Sequence, residues 1–342
     1  MLRFSGFAAS LLSLAACASQ PETLMFEIAQ VRPSVETTPM VGLGDQADDP
    51  AIWVNPLDAE RSLVLGTNKD TGLYVYDLAG KELQFLPVGR VNNVDVRFQL
   101  AVASNDETNG LSWFRIEAET AEVVHIGDSP IARIEPYGVC AGMLDGLYTA
   151  GVTYKDGTLE LWSVPENRAG DVSPFLARTV SLDTQLEGCV FDDASQRLFI
   201  GEEERGIWTL DLSDESSAPI LIDSVGSETG LASDVEGLTI WNRGSGNGFL
   251  VASAQGKNRY VVYDLAPPHA PRGVFEIVGS PNGEIDGTSN TDGIDATATP
   301  LPGYSKGLLV VQDDANPSKS RDQNFKYISW EAIERALSLE NE

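Results

Sequence analysis

Thirteen residues with oxygen-donor side chains recur at the polar ends of otherwise apolar, β-branched runs: Asp48, Asp49, Glu187, Glu202, Glu203, Asp234, Glu236, Asp292, Asp313 and Asp314, with Asn93, Asn105 and Gln255 at matching places. Brought together without compensation, so many carboxylates would repel one another and raise each other's pKa. A hard cation resolves the conflict. Calcium accepts six to eight oxygens from carboxylates, amides, carbonyls and water, whereas magnesium demands a stricter octahedron. A solvated acidic rim is the plainer reading, but regular placement at strand ends favours a site for several calcium ions. Lys69, Tyr137 and Lys155 stand at the same kind of position. Lone cations among acids commonly serve as ion-pair partners. Beside calcium, however, they suit a polyanion such as a phosphate ester. The lysines would stabilise its equatorial oxygens while a metal-acidified water attacks phosphorus. The presence of only His125 and His269 in the chain argues against a histidine-rich zinc site and a histidine-nucleophile phosphatase.

The elements that must carry these groups form an internal repeat. Six strands begin polar and turn apolar: Asp48 to Trp53, Asn92 to Val96, Tyr137 to Cys140, Glu187 to Val190, Glu236 to Ile240 and Asp292 to Asp295. They recur roughly every 45–55 residues, the period of propeller blades. Each is followed by a second strand with a polar end (Leu63 to Lys69 is the first) and by a third, usually opened by glycine, such as Gly72 to Leu78. The start of a first strand and the end of a second lie at the same end of a hairpin. One face of the ring therefore collects the polar residues. The predicted fold is all-β, a six-bladed propeller of four-stranded antiparallel blades. The sixth repeat lacks a fourth strand, and an unpaired segment, Met25 to Val31, precedes the first. An N-terminal strand that completes the last blade would remove the open edge. Two separate β domains is the weaker alternative, because no linker-like stretch divides the repeats.

Charge and the N-terminus bound the setting. The chain carries 51 acidic against 23 basic residues, a net charge of −28, which repels nucleic acid and anionic membrane surface. Residues 1–16 read as an export signal, with Arg3 before an apolar run. Leu14-Ala15-Ala16-Cys17 resembles a bacterial lipobox, which would lipidate Cys17 and anchor the chain at the outer membrane or cell surface. A plain cut after Ala16 or Ala18 would instead leave it periplasmic or extracellular. Residues 17–342 are then one propeller domain, expected to act as a monomer. Cys140 and Cys189 each sit in an apolar stretch and read as buried free thiols.

An ordered series of short stretches resembles the β-propeller phytases. It includes Asp48-Asp49-Pro50-Ala51-Ile52-Trp53-Val54, Thr67-Asn68-Lys69, Asn92-Asn93-Val94-Asp95-Val96-Arg97, Glu187-Gly188, Asp234-Val235-Glu236-Gly237-Leu238, Asp286-Gly287-Thr288-Ser289-Asn290-Thr291-Asp292-Gly293 and Gln323-Asn324-Phe325-Lys326. The resemblance implies calcium-dependent hydrolysis of phytate, taken as its calcium complex, to phosphate and lower inositol phosphates. It implies metal ligands at Asp48, Asp49, Glu187, Glu203, Asp234, Glu236, Gln255 and Asp292. It also implies a structural calcium region around Asp286 and Asn290, and a catalytic group of Lys69, Tyr137, Lys155, Asp156 and Glu187. Two positions depart from the family pattern. Asp106 replaces an arginine that would grip phosphate, and Asp156 replaces a glutamate. Arg133 or Arg205 could supply the missing cation. Two other readings remain: a non-catalytic lipoprotein that captures calcium or inositol phosphates, and a calcium-dependent propeller lactonase. The lactonase would not need Lys69 and Lys155.

Overall fold

The computed structural model describes residues 23–42, 44–165, 172–244, 247–316 and 323–339. The leader and Cys17 lie outside the described residues. Each repeat forms one antiparallel sheet with its strands in chain order, and the sheets stand around a central channel. The innermost strands are Ala47–Trp53, Val91–Arg97, Val139–Leu144, Leu186–Asp192, Val235–Asn242 and Ile294–Thr297. Burial falls from axis to rim. Every residue of Ala47–Trp53 is buried, whereas the outer strand of blade three, Phe175–Ser181, is mostly exposed.

Six apolar clusters fill the wedges, each shared by two neighbouring blades. Successive side chains of a strand point to opposite faces, so each inner strand feeds the wedge before it and the wedge after it. Val139 packs between blades two and three, Cys140 between three and four, and Val190 between four and five. The helix Trp330–Leu337 closes the wedge between blades five and six, with Trp330 stacked on Trp241 at 4.5 Å.

The N-terminal segment closes the ring, as the repeat predicts, through Val35–Glu36, which pairs antiparallel with Asn324–Ser329 to give blade six its fourth strand. The earlier stretch, Ile28–Val31, does something different. It runs parallel to Pro271–Ile277 as a fifth strand on blade five.

The cysteines are not free. Cys140 and Cys189 form a disulfide between the inner strands of blades three and four, with Cα atoms 5.6 Å apart. Cys140 stands two residues after Gly138, and Cys189 one residue after Gly188. Strand alternation therefore turns Cys140 forward and Cys189 back into the same wedge.

Candidate active site at one mouth of the channel

Four inner strands open with a functional side chain followed by glycine: Tyr137-Gly138, Glu187-Gly188, Glu236-Gly237 and Asp292-Gly293. The glycines let the strand ends come together. A Cβ at Gly138 would lie 2.1 Å from the Glu187 carbonyl oxygen, and one at Gly188 would lie 2.0 Å from that of Glu236. Backbone bonds continue the contact, with Gly237 N–H donating to Asp292 O at 2.8 Å and Gly293 N–H to Asp48 O at 3.0 Å. The side chains preceding the glycines are thereby forced around one polar cleft of about 480 Å³, lined by Asp45, Lys69, Tyr137, Glu187, Glu236, Gln255, Asn290, Asp292 and Asp314.

Two sub-clusters share the cleft. In one, the Lys69 ammonium donates to Asp292 at 3.0 Å and to Asp45 at 3.1 Å, and sits 3.2 Å from Asp48. Gln255 donates to the other oxygen of Asp292. In the second, Glu187, Glu203 and Glu236 each present a carboxylate oxygen within 4.8 Å of the others. Tyr137 lines the cleft beside Glu187 from blade three, and the Lys155 ammonium lies 4.2 Å over the Tyr137 ring.

The electrostatics of the cleft are those of unneutralised acids. Burial, with Glu187 nearby, pushes Asp48 up to about 6 despite Lys69. Burial and Glu187 push Glu203 up to about 7, while burial and Asp48 push Asp292 up to about 8. Burial also raises Glu187, and Glu236 rises well above the carboxylate range from burial and Glu187. Burial alone would lower Lys69, but Asp48, Asp292 and Asp45 outweigh it and hold the ammonium charged. Burial and Glu187 raise Tyr137, so its phenol stays a proton donor at neutral pH.

These residues fit a divalent cation bound by oxygen. Asp48 is fully buried and faces the Lys69 ammonium at 3.2 Å, but among the described residues neither of its carboxylate oxygens has a hydrogen-bond partner, and Glu236 Oε2 lacks one too. One ammonium shared among Asp45, Asp48 and Asp292 leaves most of this buried carboxylate set uncompensated, which is costly unless a further cation meets it. The donor set is wholly carboxylate and amide, the chemistry of a hard metal.

The remaining residues predicted from sequence are distributed as follows. Asp49 accepts the Val94 N–H at 3.0 Å and lines the channel below the cleft, tying blade one to blade two. Asp234, in the left-handed region at φ 59°, accepts the Gln255 N–H on its carbonyl and lies close enough to Glu203 to raise its pKa. Asp156 turns away to Arg133, at 2.6 Å, and caps Thr158 N–H at 3.1 Å. Asn290 lines the cleft and donates to Asp314 at 3.1 Å, whereas Asp286 belongs to a second cluster around Lys326. Glu202 and Asp313, expected at the same face, are committed elsewhere. Glu202 accepts from Thr184 N–H at 2.7 Å and from the Trp208 indole at 2.8 Å, and Asp313 pairs with Lys326 at 2.8 Å.

Sequence reasoning missed two features. Asp45 joins the Lys69 cluster from the turn preceding Asp48. Lys326, with no exposure, sends its ammonium to Asp286 at 2.7 Å, Asp313 at 2.8 Å, Asn316 at 3.0 Å and Glu36 at 3.4 Å. The signal for the first was proximity to Asp48; nothing in the pattern around Lys326 distinguished it from an exposed strand lysine.

The family model for phytases matches residues 1–342. The chain belongs to the phytase family. A 3-phytase of Bacillus subtilis (strain 168) is 35% identical over 329 residues, covering 90% of this chain and 85% of the relative. The crystal structure of the RRP9 WD40 repeats matches with TM-score 0.53 at 11% identity, over 84% of this chain and 79% of that one, which speaks for the propeller fold alone. This phytase is a phosphoric monoester hydrolase, and its cleft combines what such chemistry needs: fixed cations, a neutral phenol and a buried carboxylate set suited to metal.

Proposed function

We propose that this phytase removes phosphate from myo-inositol hexakisphosphate in a calcium-dependent reaction at the cleft between Lys69 and Glu187. The observation that carries this reading is the convergence of the Glu187, Glu203 and Glu236 carboxylates beside buried Asp48, with one lysine, Lys69, shared among Asp45, Asp48 and Asp292. Six or more oxygens from Asp48, Glu187, Glu203, Asp234, Glu236, Gln255, Asn290 and Asp292 suit the larger, more adaptable shell of calcium better than that of magnesium. When bound, calcium would neutralise phosphate charge and acidify the attacking water. The chain's own residues do the rest. Lys69 and Lys155 hold ammonium groups for the equatorial oxygens, and the Tyr137 phenol keeps its proton and donates. With a net charge of −28, the protein would repel so anionic a substrate without the cation.

Asp106 keeps a second reading in view, capture of calcium or inositol phosphates without turnover. Incubating the purified chain with excess phytate and calcium, and resolving the products by anion-exchange chromatography, separates the two. Lower inositol phosphates accumulating to many equivalents per protein support hydrolysis. Phytate retained at one equivalent without product supports capture. Export, lipidation at Cys17 and a monomeric state are proposed from the leader sequence and the closed ring. Mass spectrometry of the mature N-terminus and light scattering test them.

A further inference from the structure

We infer that the Cys140–Cys189 disulfide is a positioning element of the active site, setting how closely blade three presents Tyr137 to Glu187 on blade four, and so how tightly the carboxylate cluster holds a cation. The inference rests on the reading of that cluster as the metal site.

Hydrogen bonds tie four of the joints around the channel, three of them at one repeated position. Asp49 accepts Val94 N–H between blades one and two at 3.0 Å, and Asp95 accepts Ala141 N–H between two and three at 2.7 Å. Thr239 donates to Asp295 between blades five and six at 3.0 Å, and Asp295 accepts Ile52 N–H between six and one at 2.7 Å. In strand register, Cys140 occupies the place that Asp95, Thr239 and Asp295 hold in their own blades. The joint between three and four therefore carries a covalent bond at the position where three others carry hydrogen bonds.

This joint is also the one on which the site hangs. Cys140 lies three residues along its strand from Tyr137, and Cys189 two from Glu187, which places the bridge about 7–10 Å beneath the cleft. Thr153 connects both: its carbonyl accepts Tyr137 N–H at 3.0 Å, and its hydroxyl donates to Glu187 O at 2.8 Å. Below it, Gly151 leaves room for the sulfurs, since a Cβ there would lie 2.9 Å from Cys140 Sγ. A side chain of any size at Gly151 would push the bridge, and with it the two strands, apart.

The test compares wild type with Cys140→Ala/Cys189→Ala by calorimetric titration with calcium alone, in parallel with kcat and KM for phytate. The expected result is weaker calcium binding, by about tenfold as for other residues that orient metal ligands, together with a matching rise in the calcium needed for half-maximal rate. The same calcium binding in both proteins, with only a lower melting temperature in the variant, overturns the inference, as does a wild type that binds no calcium. If the double variant does not fold, native wild type reduced with a phosphine and kept under reductant provides the comparison, and is held to the same outcomes. Because calcium binding is read without substrate, a wild type inert towards phytate would sink the hydrolytic reading while leaving this comparison decisive.

Discussion

At the smallest scale, Lys69 is the residue that links the carboxylate set to phosphate chemistry. It is surrounded by Asp45, Asp48 and Asp292, and a cation entering the carboxylate set would relieve it of that duty and free its ammonium for phosphate. Lys69→Ala should lower kcat about 100-fold, the scale of losing one preorganised donor to a developing charge, as read by steady-state phosphate release. The raised carboxylates predict a second effect. Asp48, Glu203 and Asp292 titrate near 6, 7 and 8 in the fold, against 3.8, 4.5 and 3.8 for the ordinary groups. The folded state thus holds more protons than the unfolded chain across this window. The stability these groups contribute is complete below about pH 4 and is lost as pH rises through their folded values. In chelator, the melting temperature should fall between pH 5 and pH 8, and Asp292→Asn should flatten that fall. A calcium-free protein that grows more stable over the same range would contradict the assignment.

At the scale of elements, the inner strands were largely legible because their pattern is local. A polar start, a glycine and an apolar run identify each strand and tell which end faces the site. The same locality explains the misses. Asp49 and Asp48 are adjacent, so alternation sends one carboxylate into the cleft and the other down the channel, a distinction that needs the strand's rotation. Cys140 and Cys189 sit one step out of register with each other, and only the order of blades around the ring shows that this makes them face. Glu202 ends its strand as expected but spends its carboxylate on the turn at Thr184 and on Trp208. Lys326 lies in a stretch that matches the family pattern, but nothing in that stretch marks it as a buried ammonium joining Glu36 of the closing strand, Asp286 of the loop before blade six and Asp313. Lys326→Met would leave those carboxylates uncompensated and should destabilise the protein by about 3–5 kcal/mol. Denaturant unfolding in chelator measures it, and a loss within error of zero would show that the cluster is not held by its lysine.

Across the whole molecule, a closed ring converts local chemistry into global stability. Carboxylates from blades one, four, five and six meet at one mouth, so a cation bound there ties together four blades that otherwise meet only as neighbours in the ring. Ligand that binds only the native state stabilises it, by about 2.7 kcal/mol at a concentration 100 times Kd. Calcium should therefore raise the melting temperature, and chelator should reverse the rise. A melting temperature indifferent to calcium would mean that the acids do not act together. Fold class, blade number and N-terminal closure were readable because the repeat spans the chain. Which N-terminal strand closes the ring was not, because Ile28–Val31 and Val35–Glu36 are both short and differ only in which blade edge they reach.

The most direct test of the central claim is the rate of phosphate release from phytate as calcium is titrated into the metal-free chain, with calcium binding followed on the same preparation. No turnover is expected in chelator, and the rate should rise with occupancy of the carboxylate cluster. Full activity in excess chelator, or a calcium-loaded protein that releases no phosphate, would contradict the claim.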